Sequence, residues 1–183
     1  MGLYKYLSAF AKTPEYEKML KEKMISWRRE PVILRLDYPT KLDRARLLGY
    51  KAKQGFAIAR TRIGKGTSKR EAPAGGRKPQ HTGITKHPPK QSLQHIAEMR
   101  VARKFPNMQV MNSYYVGEDG KQLWYEVILV DSNHPAIKND PKLKWLAAPQ
   151  NRGRVFRGLT SSGKKSRLLG RGKGYERRNT NKS

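Results

Sequence analysis

Forty Lys and Arg against 14 Asp and Glu in 183 residues give a formal charge of +26, with 36% hydrophobic residues and no cysteine. The length suits one compact domain with extensions, and the missing thiols exclude a disulfide framework, a thiolate nucleophile and a Cys-ligated zinc. The longest clean apolar run, Val127 to Val130, is far short of the roughly 20 residues that span a bilayer. Met1-Gly2-Leu3-Tyr4-Lys5-Tyr6 has neither the apolar centre of a secretory signal nor the Ser or Thr of a myristoylation signal. A soluble, intracellular chain that meets a polyanion is therefore expected.

The first 30 residues read as helical. Leu3, Leu7, Phe10 and Ala11 share a face, then Thr13-Pro14-Glu15 offers a cap, a first-turn proline and first-turn acid. Tyr16, Met19, Leu20, Met24 and Trp27 follow at helical spacing, and Pro31 is expected to stop the helix. Val32 to Leu36 reads as a short strand. Thr40-Lys-Leu-Asp43 resembles a capping box opening a brief helix, with Gly49 at its C′ position. Phe56 to Ile63 is a second strand, with Phe56, Ile58, Arg60 and Arg62 on one face.

Residues 64–90 are basic and rich in Gly and Pro, and are expected to be ordered only by a partner. Ser92 is a cap for a helix carrying Leu93, Ile96, Ala97 and Val101, which Pro106 ends. Val110 to Val116 and Leu123 to Val130 form a hairpin across Gly117-Glu118-Asp119-Gly120. The second run is apolar on both faces, with Glu126 beside Trp124 and Ile128, so both faces should be covered. After Pro149 the chain returns to Gly and Arg, with no obvious contribution to a core.

This element order gives an α+β fold, an antiparallel or mixed sheet with helices on both faces, plus N-terminal helices and long basic extensions. The organisation expected is a single domain over 1–183. It comprises an N-terminal helical segment 1–30, an α/β body 31–149 with a basic loop 64–90, and a basic C-terminal extension 150–183.

The charge is unevenly placed. Residues 1–60, 61–104 and 151–183 carry net +8, +9 and +10, while residues 105–150 carry −1, no Arg, and six of the sixteen aromatics. Single-sign flanks around a neutral, aromatic body imply an anionic partner, because concentrated self-repulsion destabilises the free chain.

The motifs sharpen this only partly. Gly158-Leu-Thr-Ser-Ser-Gly163-Lys164-Lys165 approaches a phosphate-binding GxxxxGK[ST] loop, but Lys165 replaces the magnesium-binding hydroxyl and no convincing strand precedes it. It reads as a flexible Gly/Ser loop or, by preference, as amides and lysines that grip backbone phosphates without chemistry. Gly64-Lys65-Gly66 and Gly170-Arg171-Gly172-Lys173-Gly174 alternate glycine with a cation, which suits close backbone approach to a phosphate. His81, His87, His95 and His134 lack zinc-site spacing, and no nucleophile elbow accompanies the Ser, His and Asp residues. Glu118-Asp119 reads as a solvated hairpin tip. Tyr50-Lys51-Ala52-Lys53-Gln54-Gly55 could stack an unpaired base on the ring while its lysines meet phosphates.

Three long segments resemble a known family. They are Leu42-Asp43-Arg44-Ala45-Arg46-Leu47-Leu48-Gly49-Tyr50-Lys51-Ala52-Lys53-Gln54-Gly55-Phe56, Asn112 to Asp119 with Glu126 to Asp131, and Arg157 to Arg167. With the opening Met1 to Tyr6, they resemble large-subunit ribosomal protein family fifteen of archaeal and eukaryotic type, the L15e family. The short tail and missing Cys resemble its archaeal branch. The resemblance implies a β-α-β-α-β-β fold and a structural constituent of the large ribosomal subunit. It implies binding to large-subunit ribosomal RNA and neighbouring ribosomal proteins, in the cytoplasm, with no membrane and no small-molecule substrate.

RNA contacts are then expected from Tyr50, Lys51, Lys53, Gln54, Arg60, Arg62, Lys65, Lys69, Arg70, Arg77, Lys78, His81, Lys86, His87, Lys90, Arg152, Arg154, Arg157, Lys164, Lys165, Arg167, Arg171, Lys173, Arg177 and Arg178. No catalytic residue, metal ligand or cofactor is expected, apart from magnesium or other ions associated with the RNA. Two other readings stay open: a general nucleic-acid compaction protein, and an NTPase or nuclease built on the Gly158–Lys165 loop.

Overall fold

The computed structural model describes residues 2–66, 73, 75–81 and 91–169. Four strands, β1 (Ile33–Leu36), β2 (Phe56–Gly64), β3 (Gln109–Glu118) and β4 (Gln122–Val130), form one sheet in the order β1-β2-β4-β3. Every pairing is antiparallel, which decides between the antiparallel and mixed sheets expected. β4 lies inside the sheet and is buried continuously from Trp124 to Val130, the burial its two apolar faces require.

Helices cover both faces. On one, Ile58, Trp124 and Ile128 pack with Tyr16, Leu20, Met24 and Trp27 of α2 (Pro14–Trp27) and Ala45 of α3 (Leu42–Leu47). On the other, Ala57, Ala59, Val127 and Leu129 pack with Val101 of α4 (Leu93–Lys104) and with Val155. Past the end of β4, Val130 meets Ile137 of α5 (Pro135–Lys138) and Leu146 of α6 (Lys144–Ala147). α1 (Leu3–Phe10) precedes all of these and buries none of its residues.

Local chemistry sets most helix ends. The Thr13 side chain accepts from Tyr16 N–H, with Pro14 in the first turn, and Ser92 accepts from His95 N–H. α2 stops at Trp27, ahead of Pro31, through a turn in which Arg29 N–H donates to Ser26. α3 ends as expected: Gly49 has φ +97°, its N–H donates to Arg46, and Tyr50 N–H donates to Ala45, a Schellman arrangement. The capping box expected at its start does not form. Lys41 occupies the cap position without a side-chain bond, because the Thr40 hydroxyl donates to the buried Glu126 carboxylate instead.

The larger departure is at the C-terminal side. Residues 150–169, expected as part of an extension without a core role, fold onto the body. Val155 is 2% exposed, Thr160 and Ser162 are buried, and α7 (Ser161–Ser166) packs against α4 and β3. One valine among glycines and arginines carries no periodic signal, so sequence could not announce this contact. Most of the 64–90 loop and the Gly170–Gly174 run lie outside the described residues.

Truncating Val155 should therefore act as a core mutation. Val155→Ala is expected to cost about 1.5–3 kcal/mol in urea unfolding, from two lost methyls and the cavity left. An unchanged midpoint would return this segment to the status of an appendage.

Candidate nucleic-acid interface

β3 is an edge strand, and two adjoining hollows of about 420 and 520 Å³ run beside it, sharing Leu48, Asn112, Ser161 and Lys165 in their walls. Lys12, Lys41 and Arg44 line one side, and Arg154, Lys164 and Lys165 the other, with Asp43 the one acid among the lining residues. An aromatic with a cation over its ring stands in each hollow. Lys41 Nζ lies 5.5 Å from the centre of Tyr115, which is 43% exposed, and the Arg154 guanidinium lies 4.9 Å from that of Trp145, which is 40% exposed.

Two buried carboxylates hold the two sides. Glu126, on β4 and fully buried, accepts from the Thr40 hydroxyl, from Thr40 N–H at 3.0 Å and from the Tyr114 hydroxyl. This ties the start of α3, with Lys41 and Arg44, to the sheet. Burial, and then the Glu126 charge, push the Tyr114 phenol above its ordinary range, so it stays a donor. Glu98, on α4 and fully buried, accepts from Ser113, Thr160 and Ser162 hydroxyls at 2.5–2.6 Å. This ties the start of α7, with Lys164 and Lys165, to α4 and β3.

The Gly158–Lys165 segment is thus a packed turn. A Cβ on Gly163 would sit 2.7 Å from the Gly158 backbone, so the two glycines touch where a phosphate cradle would open. Gly158 N–H donates to Val155, Leu159 N–H to Arg154, Gly163 N–H to the Thr160 hydroxyl and Lys164 N–H to Thr160. The expectation that this loop's amides grip phosphate is corrected at those four positions. Lys164 and Lys165 remain exposed.

The other expected contacts divide. Arg60 is 7% exposed, lies 4.0 Å over Trp27 and pairs with Glu30; Arg62 is half-buried and donates to the Arg28 carbonyl. Tyr50 is 9% exposed, edge-on to Phe56, so its ring is spent in the core and is not open for stacking. Lys51 and Lys53 both bridge to Asp140 at 2.8 Å, fastening their loop to the end of α5. Lys65 pairs with Glu118, and Asp119 closes its turn on Lys121 and Gln122 N–H while pairing with Arg28. Arg154 is half-buried, and burial lowers its pKa against the opposing pull of Glu98.

Gln54, Arg77, Lys78, His81, Arg152, Arg157 and Arg167 are exposed. Of these, Arg157 also braces the Gln150 and Arg152 carbonyls, and Arg167 donates to the Arg157 carbonyl. Lys69, Arg70, Lys86, His87, Lys90, Arg171, Lys173, Arg177 and Arg178 lie outside the described residues. Among the described residues no group of His, Asp and Glu is placed to hold a metal ion. No helix there is long and apolar enough to cross a membrane.

Sequence reasoning missed Lys12, Lys41, Arg44, Tyr115 and Trp145. A signal existed for the last: Lys142-Leu143-Lys144-Trp145 interleaves aromatic and cation as Tyr50-Lys51-Ala52-Lys53 does.

A family model described as Ribosomal L15 matches residues 2–183, essentially the whole chain.

Two outcomes follow from this geometry. Thr160→Val removes a donor to a buried carboxylate and the α7 cap, and should cost about 2–4 kcal/mol by denaturant unfolding. Thr160→Ser keeps the hydroxyl and should lose far less; equal losses would contradict the tie. Hydrogen bonds from Lys51 and Lys53 hold the Asp140 carboxyl below the usual carboxylate range. A depressed folded pKa stabilises above the unfolded value of about 3.9 and is lost as pH falls through the folded one. Stability should then fall less steeply below about pH 5 in Asp140→Asn than in the parent, as thermal melts across pH would show.

Proposed function

The chain belongs to the ribosomal protein L15e family, whose members are structural proteins of the large ribosomal subunit, and on that premise we propose that it binds folded large-subunit ribosomal RNA by phosphate neutralisation and shape. The observation that carries this is the cation-lined groove along β3, whose two sides are each fastened by a buried carboxylate. A-form RNA presents phosphates and hydroxyls on its surface and keeps its base edges in a deep, narrow groove, so fixed cations read its shape. Lys164 and Lys165 act as point charges, while Arg44 can fork across two phosphate oxygens.

The internally engaged cations have a second part in this reading. Arg60, Lys51 and Lys53 stiffen the body, so the exposed cations are presented on a surface that loses little entropy on docking. The partners proposed are the ribosomal RNA and adjacent ribosomal proteins in the cytoplasmic ribosome. Ions that accompany the RNA would enter with it. The role proposed is non-catalytic: the Gly158–Lys165 turn fills the space an NTP phosphate would need with its own backbone.

Binding to a ribosomal RNA fragment should weaken steeply with salt, log K falling by about 0.7–0.9 per phosphate neutralised per unit of log salt. Lys164→Ala with Lys165→Ala should reduce that slope by about 1.4–1.8. A flat salt response would overturn the proposal. Equal affinity for duplex DNA and folded ribosomal RNA would favour a general compaction protein.

A further inference from the structure

We propose that the groove beside β3 seats an unpaired RNA nucleotide, with its base on Trp145 and its backbone against Lys164 and Lys165. This rests on the RNA-binding reading above and names the feature of RNA that this site takes.

Four observations point to it. Trp145 lines the hollow that also holds Lys164 and Lys165, and 40% of it stays exposed in a protein whose other two tryptophans, Trp27 and Trp124, are 6% and 1% exposed. Exposing a large indole forgoes burial free energy, and a stacked base would recover it. Second, the Arg154 guanidinium beside this ring is fixed by bonds to the Val110, Met111 and Leu159 carbonyls, so the aromatic–cation pair is preorganised. Third, the hollow of about 520 Å³ lies in the range of small-ligand sites, which suits one nucleotide.

The fourth observation weighs against the usual occupant of a sheet edge. An added peptide strand needs free carbonyls and amides along β3. The carbonyls of Val110 and Met111 already accept from Arg154, and that of Ser113 accepts from Gln94. Over Val110–Ser113, where the hollow lies, these bonds compete with strand addition, while Lys164 and Lys165 stay open to phosphate.

The full chain would be titrated with a short oligouridylate and, separately, with a fully paired RNA duplex, reading tryptophan emission and affinity. Because Trp27 and Trp124 are enclosed, quenching reports Trp145. The oligouridylate should quench emission and the duplex should not. Trp145→Leu, which keeps apolar bulk without a π face, should weaken oligouridylate binding about five- to hundredfold and leave duplex binding within about twofold. Trp145→Phe should retain most of the single-strand affinity. Salt-dependent binding of both RNAs without quenching, or with Trp145→Leu indistinguishable from the parent, would overturn the nucleotide site and leave the broader proposal standing. Binding of the duplex but not of the oligouridylate would overturn the nucleotide site alone, and failure of both RNAs to bind with a salt-dependent affinity would overturn the broader proposal itself.

Discussion

Two carboxyl groups, Glu126 and Glu98, are buried completely in a chain whose charge is +26, and among the described residues neither accepts a hydrogen bond from a cation. Glu126 and Glu98 are satisfied by hydroxyls and one amide. A buried carboxyl is costly unless its oxygens are hydrogen-bonded, so each of these accepts only a tightly specified set of donors. Those donors come from segments distant in sequence: Thr40 is 86 residues from Glu126, and Thr160 is 62 residues from Glu98. The cost of leaving a buried carboxyl without partners thus becomes a constraint on where α3 and α7 begin. With the helix starts fixed, Lys41, Arg44, Lys164 and Lys165 stand on opposite sides of one edge strand. An apolar core would hold the same layers but would not index them this finely.

The division of the cations follows from the same logic. Those near an acid are paired: Arg60, the one buried among them, with Glu30, Lys51 and Lys53 with Asp140, Lys65 with Glu118, Arg28 with Asp119. Fourteen acids cannot neutralise forty bases, so most of the cationic surface must remain uncompensated within the chain. The surplus is what an RNA backbone can neutralise, and the paired fraction is what keeps the body rigid while it does so. Membership of a large-subunit ribosomal protein family and this partition of charge describe the same molecule at two scales.

What was legible in the sequence was what depends on near neighbours. Thr13 and Ser92 as caps, Gly49 as a C′ residue, the hairpin, and the doubly apolar β4 are all written within a few residues of where they act. Alternation also placed Glu126 on an apolar face, a lone acid among Trp124 and Ile128, but could not name its partner. Thr40 looked like a capping residue because capping is the local use of a threonine; a distant buried carboxyl claimed it. Tyr50 and Trp145 share a lysine-flanked aromatic pattern, yet one ring is enclosed by Phe56 and the other lines a groove. Local spacing fixes which residues can stack on a base, and only tertiary packing decides which ring is left open. Val155 is the extreme case, since a single apolar side chain has no period to read.

RNA meeting the edge of β3 is tested most directly by amine acylation of lysines in the free chain and in the assembled large subunit, read by mass spectrometry. Lys12, Lys164 and Lys165 should lose most of their reactivity on assembly. Lys104, which donates to the Ile33 carbonyl beside the opposite edge strand, should lose less. Lys164 and Lys165 reacting as fully in the subunit as in the free chain would contradict the account.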